Sequence, residues 1–315
     1  MHIRAATRGS ALARWQADRL AALVTVARPD CTVEIVIVET TGDLDRLTPL
    51  EQMGGQGVFV KEVQNAVLDG RADVAVHSAK DLPALTPEGL TLIAIPERAD
   101  ARDALVGCRL DDLPQGATVA TGSIRRRAQL GHRRPDLTFV DLRGNIGTRL
   151  ARLDGPDGFT AIVMASAALD RLGLAPDVVE RLEPSVMLPQ VGQGAIAVEC
   201  RVGDVDTAAL LAAVDDPEVH RTVAAERAFL AELGAGCDLP VAAHAVPMGA
   251  SDGPGIDLCL TGSVSSMDGA TLLVEERTGP DGSALGRAVA RHLLDDRGGA
   301  ALLGRRVDRE PGRAR

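Results

Sequence analysis

Two series of alternating strand-like and helix-like segments occupy the first half of the 315-residue chain. The first series has apolar runs at 3–6, 33–40, 73–77 and 91–95, with helix-period segments at 10–27 and 58–68. The second has apolar runs at 117–121, 137–142 and 159–165, with helical segments that start at 123 and 145. Alternation of this kind predicts parallel or mixed sheets covered by helices on both faces. The shared rhythm predicts two similar α/β domains.

The last third of the chain follows another order. A helix is predicted at 217–233, then strands at 241–246, 256–264 and 271–277, and a helix at 283–294, which together indicate an α+β domain. Before it, a segment rich in proline and glycine at 184–194 precedes a short strand at 195–199 and a helix at 206–214, the pattern of a return crossing. We predict domain 1 over 1–98 and 195–214, domain 2 over 99–194 and domain 3 over 215–315, with a frayed charged tail.

The charge of the chain is unevenly distributed. The net charge is −10, yet the segment from Thr121 to Arg152 holds eight arginines and two aspartates, a local charge of +6. A general nucleic-acid binder usually carries a basic excess over its whole binding domain, and the 2% of aromatic residues leaves few platforms for base stacking. The alternative of nucleic-acid binding through this segment stays open at this point, but a small polyanion is the expected ligand.

The five cysteines are odd in number and lack the paired spacing of zinc sites, so we expect no metal and reduced thiols in a cytoplasmic protein. No apolar run approaches the roughly 20 residues that span a bilayer, so no membrane partner is expected.

One polar cluster follows the predicted strand at 73–77. Lys80 is one of only two lysines in the chain, and Asp81 stands beside it. Polar groups at the end of a strand usually point into a cleft. Asp81 could act as a general acid or base, or as a permanent counter-charge to a developing cation. His77 is predicted to be a packed residue rather than a catalyst.

Three turns favour anion binding. Arg8 and Ser10 open the first helix, and Thr121, Ser123, Arg125 and Arg126 repeat the arrangement in the second series, where backbone N–H groups and the helix dipole attract anions. Arg143, Gly144 and Arg149 form a third such turn. The alternative for each is an ordinary capped or solvated helix start. Arg127, Arg133, Arg134 and Arg152 are assigned to the solvated class.

Two glycine-rich segments complete the candidates. Cys237 follows two glycines in Gly234-Ala235-Gly236-Cys237, which favours an accessible thiol, although a small buried residue is the alternative. The loop Gly54-Gly55-Gln56-Gly57 precedes Phe59 and lacks a P-loop lysine, so we interpret it as a lid.

Together these motifs resemble the porphobilinogen deaminase (hydroxymethylbilane synthase) family over nearly the whole chain. The matching elements are Ala6-Thr7-Arg8-Gly9-Ser10 with Trp15, Gly57-Val58-Phe59-Val60-Lys61-Glu62, Ala75-Val76-His77-Ser78-Ala79-Lys80-Asp81, Thr121-Gly122-Ser123-Ile124-Arg125-Arg126, Leu142-Arg143-Gly144-Asn145, Val191-Gly192-Gln193-Gly194-Ala195 and Gly236-Cys237. Their joint order is highly specific.

The resemblance implies two domains like type II periplasmic binding proteins and a C-terminal α+β domain. It also implies a monomeric transferase of heme and tetrapyrrole biosynthesis, in which a dipyrromethane cofactor is joined by a thioether to Cys237. Four porphobilinogen molecules would be joined head to tail with loss of ammonia, and hydroxymethylbilane would be released and handed to the next enzyme of the pathway.

The resemblance further implies that Asp81 is the catalytic residue. The implied cofactor-binding and substrate-binding residues are Arg8, Ser10, Phe59, Lys80, Thr121, Ser123, Arg125, Arg126, Arg143, Gly144, Arg149, Arg171 and Gln193. Three positions depart from the usual family pattern: Thr41 stands where arginine is common, Gln56 where lysine is frequent and Gly122 where serine is usual. The competing hypothesis is a non-catalytic two-lobed binder of small carboxylates, which would have no need of a modified thiol.

Overall fold

The computed structural model describes residues 1–40, 59–153, 155, 158–234, 239–249 and 257–304. These residues form two five-stranded sheets and one three-stranded sheet. The strands are β1 (His2–Arg8), β2 (Thr32–Val38), β3 (Val74–Ser78), β4 (Leu90–Ala94), β5 (Asp103–Val106), β6 (Thr118–Ala120), β7 (Thr138–Val140), β8 (Ala161–Ala165), β9 (Val179–Leu182), β10 (Ile196–Arg201), β11 (Val241–Pro247), β12 (Leu258–Ser265) and β13 (Leu272–Gly279).

The α-helices are α1 (Ala11–Ala27), α2 (Lys61–Leu68), α3 (Ile124–Arg133), α4 (Ile146–Ala151), α5 (Ser166–Arg171), α6 (Val205–Ala212), α7 (Pro217–Glu232), α8 (Gly282–Arg291) and α9 (Gly299–Leu302). A 3₁₀ turn covers Ala79–Asp81, and a π-helical turn covers His292–Asp296.

The first sheet has the strand order β2-β1-β3-β10-β4. Strands β2, β1 and β3 run parallel, and β10 is antiparallel to both of its neighbours. Neighbouring residues of β1 point to opposite faces, so Ala5 packs in a cluster with Leu20 of α1, while Ala6 packs in a cluster with Val63 of α2. Because both faces of β1 are covered, its buried residues Ile3, Ala5 and Ala6 are apolar and point to both sides of the sheet.

The second sheet repeats this plan with the order β7-β6-β8-β5-β9, in which β5 is antiparallel to β8 and β9. Two similar α/β domains are therefore confirmed. The sequence interpretation missed β5 and β9, which have four residues each. All four residues of β5 are buried, and so short a run shows no alternation that could reveal a strand.

Two crossing segments connect the α/β domains and pair with each other. Arg98 forms an antiparallel bridge with Ala195, and the amide of Ala99 donates to the carbonyl of Gly194 at 3.0 Å. Strand β10 then returns to the first sheet. The domain limits at 98/99, 194/195 and 214/215 stay a prediction.

The third sheet, in the order β11-β12-β13, is antiparallel and packs on α7 and α8. Helix α7 begins cleanly because Asp216 accepts hydrogen bonds from two amides of the first turn and Pro217 occupies the start of the helix. Phe229 of α7 and Val289 of α8 are fully buried over this sheet. The predicted α+β domain is confirmed, and α9 is an additional short helix that the sequence interpretation did not contain.

Among the helices of the described residues, none is long and apolar enough to cross a membrane. Within the same residues, no group of three or more His, Cys, Asp or Glu side chains could hold a metal ion.

Candidate active site

The carboxyl end of β1 supplies the first cationic group of the site. Arg8 is the last residue of β1, and Ser10 caps α1 by accepting a hydrogen bond from the amide of Ala13 at 3.3 Å. The guanidinium of Arg8 lies 4.2 Å from the centre of the Phe59 ring, a cation–π contact. This contact brings two of the predicted site residues together.

The 3₁₀ turn after β3 holds Lys80 and Asp81. The segment that leads back to β10 supports this turn, because Gln190 Nε2 donates to the carbonyl of Lys80 at 3.1 Å. Gly192 has a φ of +69° and lies against the turn, where a Cβ would come within 3.0 Å of the Ala79 carbonyl carbon. Only glycine fits this close approach without strain.

The start of α3 carries two buried arginines. Arg125 Nη1 lies 2.8 Å from Asp103 Oδ2, and Arg126 Nη2 lies 2.7 Å from Asp103 Oδ1. Asp103 is fully buried on β5, and each guanidinium also donates to a backbone carbonyl. Burial alone would raise the pKa of the Asp103 carboxyl, but the charges of Arg125 and Arg126 outweigh burial and hold this pKa below its ordinary value.

The Gln193 side chain makes hydrogen bonds to residues of both α/β units. Its Nε2 donates to Asp103 Oδ1 at 3.0 Å and to the carbonyl of Ala101 at 2.7 Å. Its Oε1 accepts a hydrogen bond from Lys80 Nζ at 3.4 Å. The fully buried amide therefore connects the lysine of the first α/β unit to the carboxylate that pairs with the arginines of the second.

Helix α4 adds the third cationic turn. Asn145 caps the helix by accepting from the amide of Thr148 at 2.9 Å, and Arg149 Nε donates to the carbonyl of Gly144 at 2.8 Å. Burial, followed by the positive charge of Arg126, lowers the pKa of Arg149 to about 10, while the carboxylate of Asp81 acts in the opposite direction. The charges of Asp81 in the first α/β unit and Arg126 in the second therefore both act on Arg149.

The pKa of Lys80 is also lowered by burial and by a neighbouring positive charge. Burial is the largest effect that lowers its pKa to about 8, and Arg126 lowers it further, while Asp81 acts to raise it. An amine that loses part of its charge near neutral pH gains most from an anionic ligand, because a nearby negative charge favours its protonated form.

The donors of the site fit an acidic cofactor. The Nε and Nη2 atoms of Arg125 are buried and have no hydrogen-bond partner among the described residues, although the side chain is only 4% exposed. A buried donor without a partner is costly, and a carboxylate oxygen would satisfy it with a charge-assisted hydrogen bond. Dipyrromethane carries acetate and propionate groups, so the residues present fit this group.

The remaining predicted residues lie at the margins of this cluster or beyond it. Thr121 is buried, and Ser123 caps α3 through the amide of Arg126. Arg171 contacts the crossing segments, where it donates to the carbonyl of Gly194 at 2.8 Å, and its guanidinium lies 5.1 Å from the Trp15 ring centre. Cys237, Thr41, Gln56 and the 54–57 loop lie outside the described residues.

Two further interpretations can be compared with the structure. His77 is buried with its Nε2 atom 3.3 Å from Glu199 Oε2, so the expected packed position is confirmed. The solvated assignment holds only in part for Arg134, whose side chain is 24% exposed and pairs with Asp136 but also donates to the carbonyls of Leu110 and Leu113. Its guanidinium holds a loop together because a planar fork of five donors can bind several carbonyls at once.

Sequence reasoning missed the buried carboxylates of the described residues, Asp103, Glu199 and Glu226. Asp103 begins a short apolar run, and a dense arginine segment with few acids of its own was the signal that a counter-ion must come from elsewhere. Glu226 of α7 pairs with Arg98 at 2.7 Å and accepts from the amide of Gly192 at 2.7 Å, which ties the third domain to the crossing segments. In the sequence, Glu226 is one of several charged residues of α7, and nothing in the sequence predicts that it pairs with Arg98.

The fold and the site define a class: a protein of two similar α/β domains and an added α+β domain. Its cationic groups outnumber the carboxylates Asp81 and Asp103 in a site that fits a polycarboxylate ligand. A family model described as porphobilinogen deaminase, dipyromethane cofactor binding domain, matches residues 3–209, and the model of the C-terminal domain matches residues 220–295. A porphobilinogen deaminase of Roseiflexus castenholzii is 45% identical over 302 residues, which cover 95% of this chain and 97% of that protein. The chain belongs to the porphobilinogen deaminase family.

Solved structures also resemble the chain, at low identity. A periplasmic VFT2 domain of BvgS from Bordetella pertussis is 16% identical with a TM-score of 0.41, over 68% of this chain and 86% of that one. An ancestral cationic amino acid solute binding protein is 15% identical with a TM-score of 0.43, over 68% of this chain and 87% of that one.

Family membership confirms an enzyme with a dipyrromethane cofactor over a non-catalytic binder.

Proposed function

We propose that this chain polymerises four porphobilinogen molecules head to tail, with Asp81 as the catalytic carboxylate and Cys237 as the attachment site of the dipyrromethane. The observation that carries the proposal is the position of Asp81 beside Lys80 in the 3₁₀ turn after β3, which Gln193 connects to the arginine pair of the second α/β unit. A carboxylate at this position can face a positive charge that develops on the substrate.

Substrate recognition follows from the carboxylates of porphobilinogen. Each pyrrole carries an acetate and a propionate, so the growing chain requires several fixed donors. The proposed donors are Arg8, Ser10, Lys80, Thr121, Ser123, Arg125, Arg126, Arg143, the backbone at Gly144, Arg149, Arg171 and Gln193, and the ring of Phe59 would contact the pyrroles. Guanidinium forks suit this task because they bind carboxylates through two parallel hydrogen bonds.

Asp81 acts on the step in which ammonia leaves. The amine of porphobilinogen leaves in its protonated form: the bond between the aminomethyl carbon and the ammonium nitrogen breaks, ammonia departs, and the pyrrole nitrogen donates electrons and becomes positive. The Asp81 carboxylate stabilises that charge and can accept the proton of the pyrrole nitrogen. The new carbon–carbon bond forms at the methylene carbon, and the attacking pyrrole carbon loses its proton.

Cys237 would hold the cofactor through a thioether, because a thiolate is the strongest nucleophile among ordinary side chains at neutral pH. When bound, the dipyrromethane supplies the nucleophilic α-carbon from which the product grows. The residues of this chain then hold carboxylates, orient the substrate and face the developing charge, and water finally releases hydroxymethylbilane.

The test is the turnover of Asp81→Asn beside the control Asp112→Asn, which changes an exposed aspartate of the second α/β unit. We expect kcat of Asp81→Asn to fall by about a hundredfold or more, while KM and the melting temperature stay near those of the parent. Asp112→Asn should match the parent. Near-normal turnover of Asp81→Asn would remove that side chain from the mechanism.

A monomeric state, a cytoplasmic location and hand-over of hydroxymethylbilane to the next enzyme of the pathway belong to the same proposal. The free cysteines of the described residues, Cys31, Cys108, Cys200 and Cys259, are in keeping with a reducing compartment. Light scattering of the purified protein tests the monomer directly, since a dimer would double the measured mass.

A further inference from the structure

The tip of the hairpin between β12 and β13 contacts helix α3 of the second domain. His132 Nδ1 lies 3.1 Å from the carbonyl oxygen of Gly269. A carbonyl oxygen only accepts, so Nδ1 is the protonated nitrogen and donates this hydrogen bond. The third domain therefore contacts α3 near the C-terminal end of that helix.

Close backbone packing supports the same contact. Gly269 has a φ of +75°, and a Cβ at this position would lie 2.5 Å from the carbonyl oxygen of Ala128 and 3.1 Å from the amide of His132. Atoms of side chains essentially never approach so closely, so the tip and the helix fit only while residue 269 is glycine.

The tip is itself a rigid structure. The hydroxyl of Ser266 donates to Asp268 Oδ1 at 2.6 Å, the amide of Ala270 donates to the same oxygen at 3.0 Å, and the amide of Thr271 donates to Ser266 Oγ at 3.0 Å. A turn held by its own hydrogen bonds can transmit a displacement instead of absorbing it.

Helix α3 connects this contact to the proposed site. Arg125 and Arg126 lie in its first turn, while Ala128 and His132 lie in its last two turns, and a ten-residue helix is a rod of about 15 Å. In the sequence, Cys237 follows helix α7 of the third domain, which ends at Glu232.

We propose that Gly269 and His132 are positioning residues: through them the third domain, whose helix α7 precedes Cys237 in the sequence, fixes the position of Arg125 and Arg126. This inference rests on the proposed roles of Arg125, Arg126 and Cys237. Groups that hold one reacting ligand from different domains must be aligned with each other, and a misplacement of about 1 Å costs up to a hundredfold in rate. Neither residue touches substrate in this account.

The experiment compares Gly269→Ala with Gly298→Ala. Gly298, in the same domain, has a φ of +80° and no atom within 4 Å of its Cβ position, so the control carries the backbone strain without the collision. We expect Gly269→Ala to lower kcat by roughly tenfold, with KM changed less than twofold, because alignment affects the reaction more than the binding of each part. Gly298→Ala should keep the parent kcat.

A second pair of variants tests the hydrogen bond without changing the backbone. Asparagine at 132 keeps a donor near the position of Nδ1, whereas leucine removes it, so His132→Asn should retain the parent kcat and His132→Leu should lose it. If Gly269→Ala fails to fold, the two His132 variants still test whether this contact affects kcat.

Hydrogen exchange supplies a readout that does not depend on activity. The amides of 266–271 and of the last turn of α3 should exchange about tenfold faster in Gly269→Ala and His132→Leu than in their controls. Unchanged exchange, or a kcat equal to that of Gly298→Ala, would overturn the inference. Failure of the proposed function would instead abolish turnover in every protein, the parent included, and leave the exchange result intact.

Discussion

Asp103 and Arg125 form an ion pair of 2.8 Å in which neither side chain is more than 4% exposed. The aspartate belongs to a strand and the arginine to a helix start, and the same carboxylate also holds Arg126. This pairing fixes two guanidinium groups in the interior of the second domain.

Asp103→Asn should destabilise the protein because it leaves two buried guanidinium groups without their counter-ion. Removal of one partner from a buried pair costs about 3 kcal/mol or more. Urea unfolding measures the loss, with Asp141→Asn as the control, since Asp141 pairs with Arg127 at the surface. Equal stability of both variants would show that the buried pair is not a structural element.

The affinity for porphobilinogen should fall as pH rises through 8. The pKa of Lys80 is lowered to about 8, so its amine is charged below that pH and neutral above it, and the substrate carboxylates lose one cation. KM should rise between pH 7 and pH 9 in the parent. Lys80→Arg, which stays charged throughout, should show a flatter profile, and identical profiles would contradict this role of Lys80.

Arg143→Leu and Arg149→Leu should raise KM or impair cofactor loading, because each removes a cation from the third anion-binding turn. A hydrogen bond to a charged group contributes roughly 1.5–3 kcal/mol, which corresponds to a tenfold to hundredfold rise in KM. Arg133→Leu removes an exposed arginine of the same segment and is the matched control. Steady-state kinetics of all three variants measure KM, and their intact masses measure cofactor loading.

Glu226→Gln should weaken the link between the third domain and the crossing segments. Burial would raise the pKa of Glu226, but Arg98 and His244 outweigh it and hold the pKa at about 2. A depressed carboxyl pKa stabilises the fold above the unfolded pKa of about 4.3, and this stabilisation is lost as pH falls towards 2.

The melting temperature of the parent should therefore fall more steeply between pH 4.5 and pH 2.5 than that of Glu226→Gln, which has no carboxyl to protonate there. At pH 7 the variant should melt lower than the parent. Parallel pH profiles of the two proteins would mean that Glu226 contributes nothing through its charge.

The sequence predicted those features that depend on local order. The apolar residues of β3 and the polar turn at Lys80 and Asp81 that follows it were visible because strands end where apolar residues give way to polar ones. The partner of Arg125 and Arg126 was not visible, because Asp103 comes from a distant strand of four residues, and the pairing exists only after the sheet has formed. Glu226 was missed for the same reason, since its partner Arg98 lies 128 residues away.

The most direct test is the intact mass of the purified protein beside its Cys237→Ala variant. The account predicts that the parent carries the added mass of two pyrrole units and that the variant does not. A parent of unmodified mass, still unmodified after incubation with porphobilinogen, would contradict the covalent cofactor and with it the proposed mechanism.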